Sequence, residues 1–177
     1  MHWVTTDHIH LDRVACPWLI RRFIDKDAVF TFLARDKVAS RPSDAIPFAI
    51  PGVELGPHDE HGTCFDKFLR KYRLEDPALA VMAKVIASGV HHAITQGPDR
   101  DNVPAVEGIG LDALSQGMML LSSDDLDNLD RSMAVYDALY AYCKQQALVA
   151  QNVDLAKFSF FQRADALKAP IKAALGQ

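Results

Sequence analysis

The chain has 177 residues, 49% of them hydrophobic and 24% charged, which suits one domain with a core of its own and no disulfide staples. Nineteen Lys and Arg against twenty-three Asp and Glu leave a formal charge of -4, so the surface as a whole offers no attraction to nucleic acid or anionic lipid. No basic, apolar leader opens the chain and no run of eighteen apolar residues follows; three scattered cysteines, Cys16, Cys64 and Cys143, fit a reducing compartment. A cytoplasmic protein with neither nucleic-acid nor membrane partners is expected.

The expected fold is α+β: residues 1–177 form one domain, a small sheet from the N-terminal third packed on a mostly helical remainder. Short β-branched and aromatic runs at residues 3–6, 28–33 and 45–50 read as strands, with Pro47 placing the third at an edge. Pro17 to Ile24 reads as a short helix opened by its proline. Thr63 to Asp66 is a capping box that starts a helix after residue 63. Asp76-Pro77 opens another, expected to fray at Gly89 near His91-His92. Residues 104–121 are apolar enough for a buried helix, and Ser122 to Asp125 cap a long one. In that long helix Leu126, Leu129, Met133, Tyr136, Tyr140 and Cys143 alternate at spacings of three and four, a stripe for the core or a partner subunit. Residues 150–177 carry Phe158, Phe160 and Phe161 and would cap the domain or pack across a homodimer.

Two segments concentrate reactive side chains. The loop from Glu54 to Asp66 holds two imidazoles, a thiol and four carboxylates. His58, His61 and Cys64 with Glu54, and His92 from the histidine pair, are candidate ligands for a divalent first-row metal, zinc first. Their spacing matches no defined metal motif, and a polar surface loop is the alternative. His8 and His10 read as exposed. The second segment, Asp12 to Phe23, joins Arg13, Arg21 and Arg22 to Cys16 and Trp18 at a helix start, where backbone N–H groups and guanidinium ions would make an anion pocket. The alternative is an Asp12–Arg ion pair, with Trp18 and Phe23 as core.

Asp12-Arg-Val-Ala-Cys-Pro-Trp-Leu-Ile-Arg-Arg-Phe-Ile24 closely resembles the chromate-resistance proteins, in particular the C-terminal domain of the ChrB type. Ile50 to Leu55, His58, Phe65-Asp66, Asp76 to Leu79 and Val135 to Tyr140 continue the resemblance over roughly residues 3 to 145. It marks Asp12, Arg13, Cys16, Trp18, Arg21, Arg22, Glu54, His58, Asp66 and Asp137 as shared positions, and it draws Glu54 and His58 into one pocket with the arginine segment. Thr63-Cys64 stands where the family has Cys followed by Ser or Thr, and His91-His92 where an acid is expected. The resemblance implies a domain that senses or handles chromate. Longer relatives carry a further N-terminal region, so DNA regulation seated there would not belong to this chain.

The functional expectation is therefore a metal or oxyanion site for a small anion or small-molecule substrate. The alternative is a small metal-dependent enzyme, hydrolytic or redox, with Glu54 or Asp66 as proton acceptor.

Overall fold

The structure is a computed structural model and describes residues 1–97 and 99–176. Three short strands, β1 (His2–Thr6), β2 (Val29–Leu33) and β3 (Ile46–Pro47), form a parallel sheet of order β2-β1-β3, with Trp3 opposite both Phe30 and Ile46. Pro47, which has no N–H to donate, lies on an edge strand as the sequence suggests. Because all three strands run the same way, the loops leaving their C-terminal ends gather at one edge.

Helix α1 (Asp12–Leu19) crosses from β1 toward β2 and ends in a π-helical turn over Ile20–Ile24, marked by the Asp25 N–H bonding the Ile20 carbonyl at 2.7 Å. It starts five residues before Pro17, so the proline lies inside it rather than opening it. Pro17 only forgoes its bond to the Arg13 carbonyl, and burial of Cys16, Trp18 and Leu19 around it keeps the segment helical.

The helical remainder comprises α2 (Cys64–Tyr72), α3 (Pro77–Ile94), α4 (Glu107–Leu121), α5 (Asp125–Gln151), α6 (Val153–Lys157) and α7 (Phe160–Ala174). The Thr63/Asp66 capping box opens α2, Asp76 caps α3 and Asp124 caps α5, as their sequences indicate. The stripe on α5 turns inward: Leu129, Tyr136, Tyr140 and Cys143 are buried, while Leu126 at its start is 47% exposed. The tail folds back, and α7 packs on α5 with Leu167 and Leu175 buried. Phe160 and Phe161 stay exposed.

Helix α3 packs against α4 and α5 and is the core helix of the fold. Its mean hydropathy of 1.3 over 18 residues would suffice for a membrane span by length and composition, yet 56% of it is buried inside the molecule. It does not fray at Gly89. There it meets Gly108 of α4 so closely that a Cβ on Gly89 would lie 3.0 Å from the Gly108 carbonyl oxygen, and a Cβ on Gly108 2.6 Å from the Gly89 nitrogen. These glycines mark a backbone crossing, not a helix end. Helix α4 is less buried than its apolar sequence suggests, since Leu114, Leu120 and Leu121 face outward.

Gly108→Ala should destabilise the protein by about 1–3 kcal/mol in urea titration, because backbone atoms cannot yield to the added methyl. Gly110→Ala and Gly117→Ala meet nothing within 4 Å on the same helix. Each should instead stabilise by about 0.5–1 kcal/mol.

Candidate functional site

The loop between β1 and α1 is fixed almost atom by atom. The Asp125 carboxylate accepts the His8 and Ile9 N–H groups at 3.0 and 2.8 Å, Ser115 Oγ accepts the Leu11 N–H at 2.7 Å, Asn128 donates to the Ile9 carbonyl and Tyr136 to the Leu11 carbonyl. Arg13 closes it from within, donating to Thr6 Oγ1, the Asp7 carbonyl and the His8 carbonyl. Two non-glycine residues of this loop hold positive φ, His8 at 56° and Leu11 at 46°, and Ala49 after β3 holds 49°. Such backbone persists only where its surroundings over-determine it, and it gathers at ligand sites.

Above this edge of the sheet lies a cleft of about 670 Å³. Thr6, His10, Asp12 and Arg13 line it from the first loop, Arg35 and Val38 from the stretch after β2, and Ala49, Ile50, Pro51, Pro57 and His58 from the loop before α2. Val90, Ala93 and Ile94 of α3 form an apolar wall. The position agrees with the rule that ligands of parallel sheets bind outside the carboxyl ends of the strands.

Two guanidinium groups come near one another in this cleft. Burial, followed by the charge of Arg35, lowers the Arg13 pKa from its ordinary value, while Asp125, Asp7 and Asp12 pull it back. Among the described residues neither arginine is ion-paired to a carboxylate: Arg13 spends its donors on a hydroxyl and two carbonyls, and Arg35 is exposed. The Asp12 carboxylate turns away, accepting the Cys64 and Phe65 N–H groups at 2.8 and 2.9 Å and so filling the N-terminus of α2. Burial raises the Asp12 carboxyl above its ordinary value despite those bonds.

Behind the cleft runs a chain of three titratable groups. His10 Nε2 lies 3.0 Å from Asp112 Oδ1, and Asp112 Oδ2 lies 2.7 Å from His92 Nδ1. Gln116 also donates to Asp112, and Arg100 donates to His92 Nε2. Asp112 is only 1% exposed. Burial works against its charge, but the bonds from Gln116, His92 and His10 outweigh it and hold its pKa below the ordinary value.

The residues named from the sequence are thereby sorted. Of the anion set only Arg13 reaches the cleft. Arg21 pairs with Asp130 and lies over the Phe30 ring; Arg22 forks onto Asp137, which also accepts the Trp18 indole N–H; these tie α1 to α5. Cys16 is buried beside Asp12 and Cys64, and burial first, then these neighbours, push its thiol well above the ordinary value. Among the described residues no Asp12–Arg ion pair forms, because Asp12 is taken by α2.

The five metal candidates do not form one ligand set. Glu54, His58 and His61 share the lining of a second, more open cavity beside the start of α2, but Glu54 pairs with Lys71 and His61 is exposed beside Glu60; Cys64 donates to the Leu55 carbonyl in the core, His92 is bonded to Asp112, and His58 also lines the cleft. Among the described residues no three His, Cys, Asp or Glu side chains are grouped as a metal would need. Asp66 completes the α2 capping box. The sequence reading missed His10, Arg35 and Asp112; a lone carboxylate on the buried stripe Leu111, Asp112, Ser115 of an otherwise apolar helix was the available signal.

Asp112 and Asp76, the latter opposed by burial but held low by Lys144, Tyr140 and the Ala78 N–H, have depressed folded-state values. Their stabilisation is present above the ordinary Asp value of about 4 and lost as pH falls through the depressed values. Asp112→Asn should therefore destabilise the protein at about pH 7 in urea titration, and its deficit against wild type should shrink as pH falls below about 4.

Residues 3–143 match the family model described as ChrB, C-terminal domain. Over 141 residues the chain is 34% identical to Protein ChrB of Cupriavidus metallidurans, an alignment covering 79% of this chain and 40% of that protein. The chain thus spans less than half the length of this relative. No solved structure matches it significantly. The family match covers the sheet, the cleft and the helices behind it, and the chain belongs to the ChrB C-terminal-domain family.

Proposed function

We propose that the cleft binds a tetrahedral oxyanion of the chromate type, making the chain a chromate-sensing or chromate-handling domain that works in the cytoplasm. The observation that carries this reading is the pair Arg13 and Arg35, two like charges near one another, neither of them in a direct ion pair with a carboxylate among the described residues. Like charges in a part-buried site repel, and an anion between them reverses the sign of that energy. A chromate or sulfate dianion offers oxygens to guanidinium N–H groups in the geometry that arginine favours. Family membership supports chromate as the ion, and three buried free cysteines suit a reducing compartment.

A second reading is favoured by the size and lining of the cleft. A tetrahedral oxyanion has the bulk of roughly two or three water molecules of about 30 Å³ each, far less than the cleft's 670 Å³. The wall of Val38, Ile50, Val90 and Ile94 would hold an apolar body attached to the anionic group. On this reading the protein is an enzyme for a small organic anion, with His10, oriented by Asp112, as its acid–base residue.

Calorimetric titration with chromate and with sulfate tests the first reading. Arg35→Gln leaves the packed core untouched and should weaken both anions by about 10-fold or more, the worth of a charge-assisted hydrogen bond. Arg21→Gln alters a residue that faces Asp130 and should bind as wild type does. No binding by wild type, or equal binding by Arg35→Gln, overturns the oxyanion site. Phenyl phosphate binding at least tenfold more tightly than sulfate would favour the organic-anion reading.

A further inference from the structure

We infer, resting on the reading of the cleft as an oxyanion site, that anion binding is coupled to uptake of one proton by His10. The argument begins at the far end of the buried chain. Arginine can only donate hydrogen bonds, so His92 Nε2, which receives Nε and Nη2 of Arg100 at 3.1 and 2.9 Å, presents its lone pair. That assigns His92 as the neutral tautomer with its proton on Nδ1, donated to Asp112 Oδ2 at 2.7 Å. Gln116, the third donor to Asp112, is neutral as well.

Among the described residues, His10 is thus the hydrogen-bonded partner of the buried Asp112 carboxylate that can become a cation while Arg100 holds His92 Nε2, a nitrogen that also has the Asp101 carboxylate at 3.6 Å. His10 Nε2–H points to Asp112 Oδ1 at 3.0 Å, which leaves Nδ1 to take the second proton. His10 also lines the cleft. With an anion bound, the imidazole stands between two negative charges, Asp112 behind and the ligand in front, and each favours its protonated form. The proton comes from solvent, adds to Nδ1 and leaves when the anion leaves; no bond of the ligand is made or broken.

The other charged and titratable groups around His10 act in both directions. Arg13 on α1 and Arg35 after β2 oppose a third positive charge until the anion arrives, whereas Asp12 on α1 and Asp125 on α5 favour it. Beyond His92 stand Arg100 and Asp101, on the far side of the chain from the cleft. His58, in the loop before α2, is the other imidazole of the cleft and the natural rival as the source of any pH dependence.

Sulfate is the probe, because it remains a dianion over the whole range and any pH dependence belongs to the protein. Calorimetry from about pH 5.5 to about pH 8.5 should show affinity falling by about tenfold or more as pH rises. Repeating the titration in buffers of different ionisation enthalpy should show net uptake approaching one proton per sulfate. His10→Asn, and His10→Gln as a second variant that keeps an amide donor toward Asp112, should flatten the dependence and abolish the uptake. Asp112→Asn should move the transition to lower pH. His58→Asn should keep the slope whatever it does to the affinity. pH-independent binding by wild type, a slope surviving in both His10 variants, or a slope lost in His58→Asn overturns the coupling and leaves the oxyanion site standing. Absence of sulfate binding at every pH overturns the site and the coupling together.

Discussion

The loop from His8 to Leu11 is the constraint on which the cleft depends. Holding His8 and Leu11 at positive φ costs on the order of 1–3 kcal/mol each, and the loop lies there because α4 and α5 grip its backbone through Asp125, Ser115, Asn128 and Tyr136. These partners lie more than a hundred residues downstream. The sheet and the helical half are therefore one cooperative unit: β1 delivers the chain to the loop, and α5 fixes how it leaves. From that exit Asp12 reaches the start of α2 and His10 reaches Asp112.

The helix α5 repeats this role along its length. Asp125 and Asn128 hold the loop, Asp137 holds Trp18 on α1 and Arg22 on the π-helical turn after it, and Tyr140 and Lys144 hold Asp76 at the start of α3. Its polar residues point to chosen backbone and side-chain partners, while Leu129, Tyr136 and Cys143 fill the core between them. On the proposed reading a fixed frame of this kind suits charge-based recognition, since it holds the Arg13 guanidinium in place through three hydrogen bonds before an anion arrives.

Local pattern carried much of the fold in the sequence. Capping chemistry at Thr63, Asp76 and Asp124 acts within a few residues, and so did the heptad-like stripe on α5; all are where the chain suggested. The start of α1 was misplaced because Pro17 is tolerated inside a helix buried on several sides. Gly89 read as a terminator because its partner, Gly108, is remote in sequence. The same remoteness hid the site: nothing within reach of His10 along the chain announces Asp112, and Arg35 acquires meaning only where the end of β2 meets the end of β1.

The segment from Asp12 to Ile24, which carries the family resemblance most strongly, has a different physical meaning from the one its charges suggest. Asp12 caps α2, Trp18 and Arg22 share Asp137, Arg21 pairs with Asp130, and Cys16 is sealed in the core. Only Arg13 faces the cleft among its basic residues, and it spends three hydrogen bonds on shaping the loop. The segment is thus chiefly a specification of the frame. Discrimination among anions would rest on what surrounds that frame: Arg35 on the stretch after β2, His58 before α2, His10 backed by Asp112, and the apolar face of α3. On the proposed reading, exchanging Arg35 or His58 would retune the ligand without disturbing the clamps that hold the fold. On the proposed reading a chain can keep the segment intact and bind a different anion, which makes the cleft wall, rather than the segment, the place to compare between relatives.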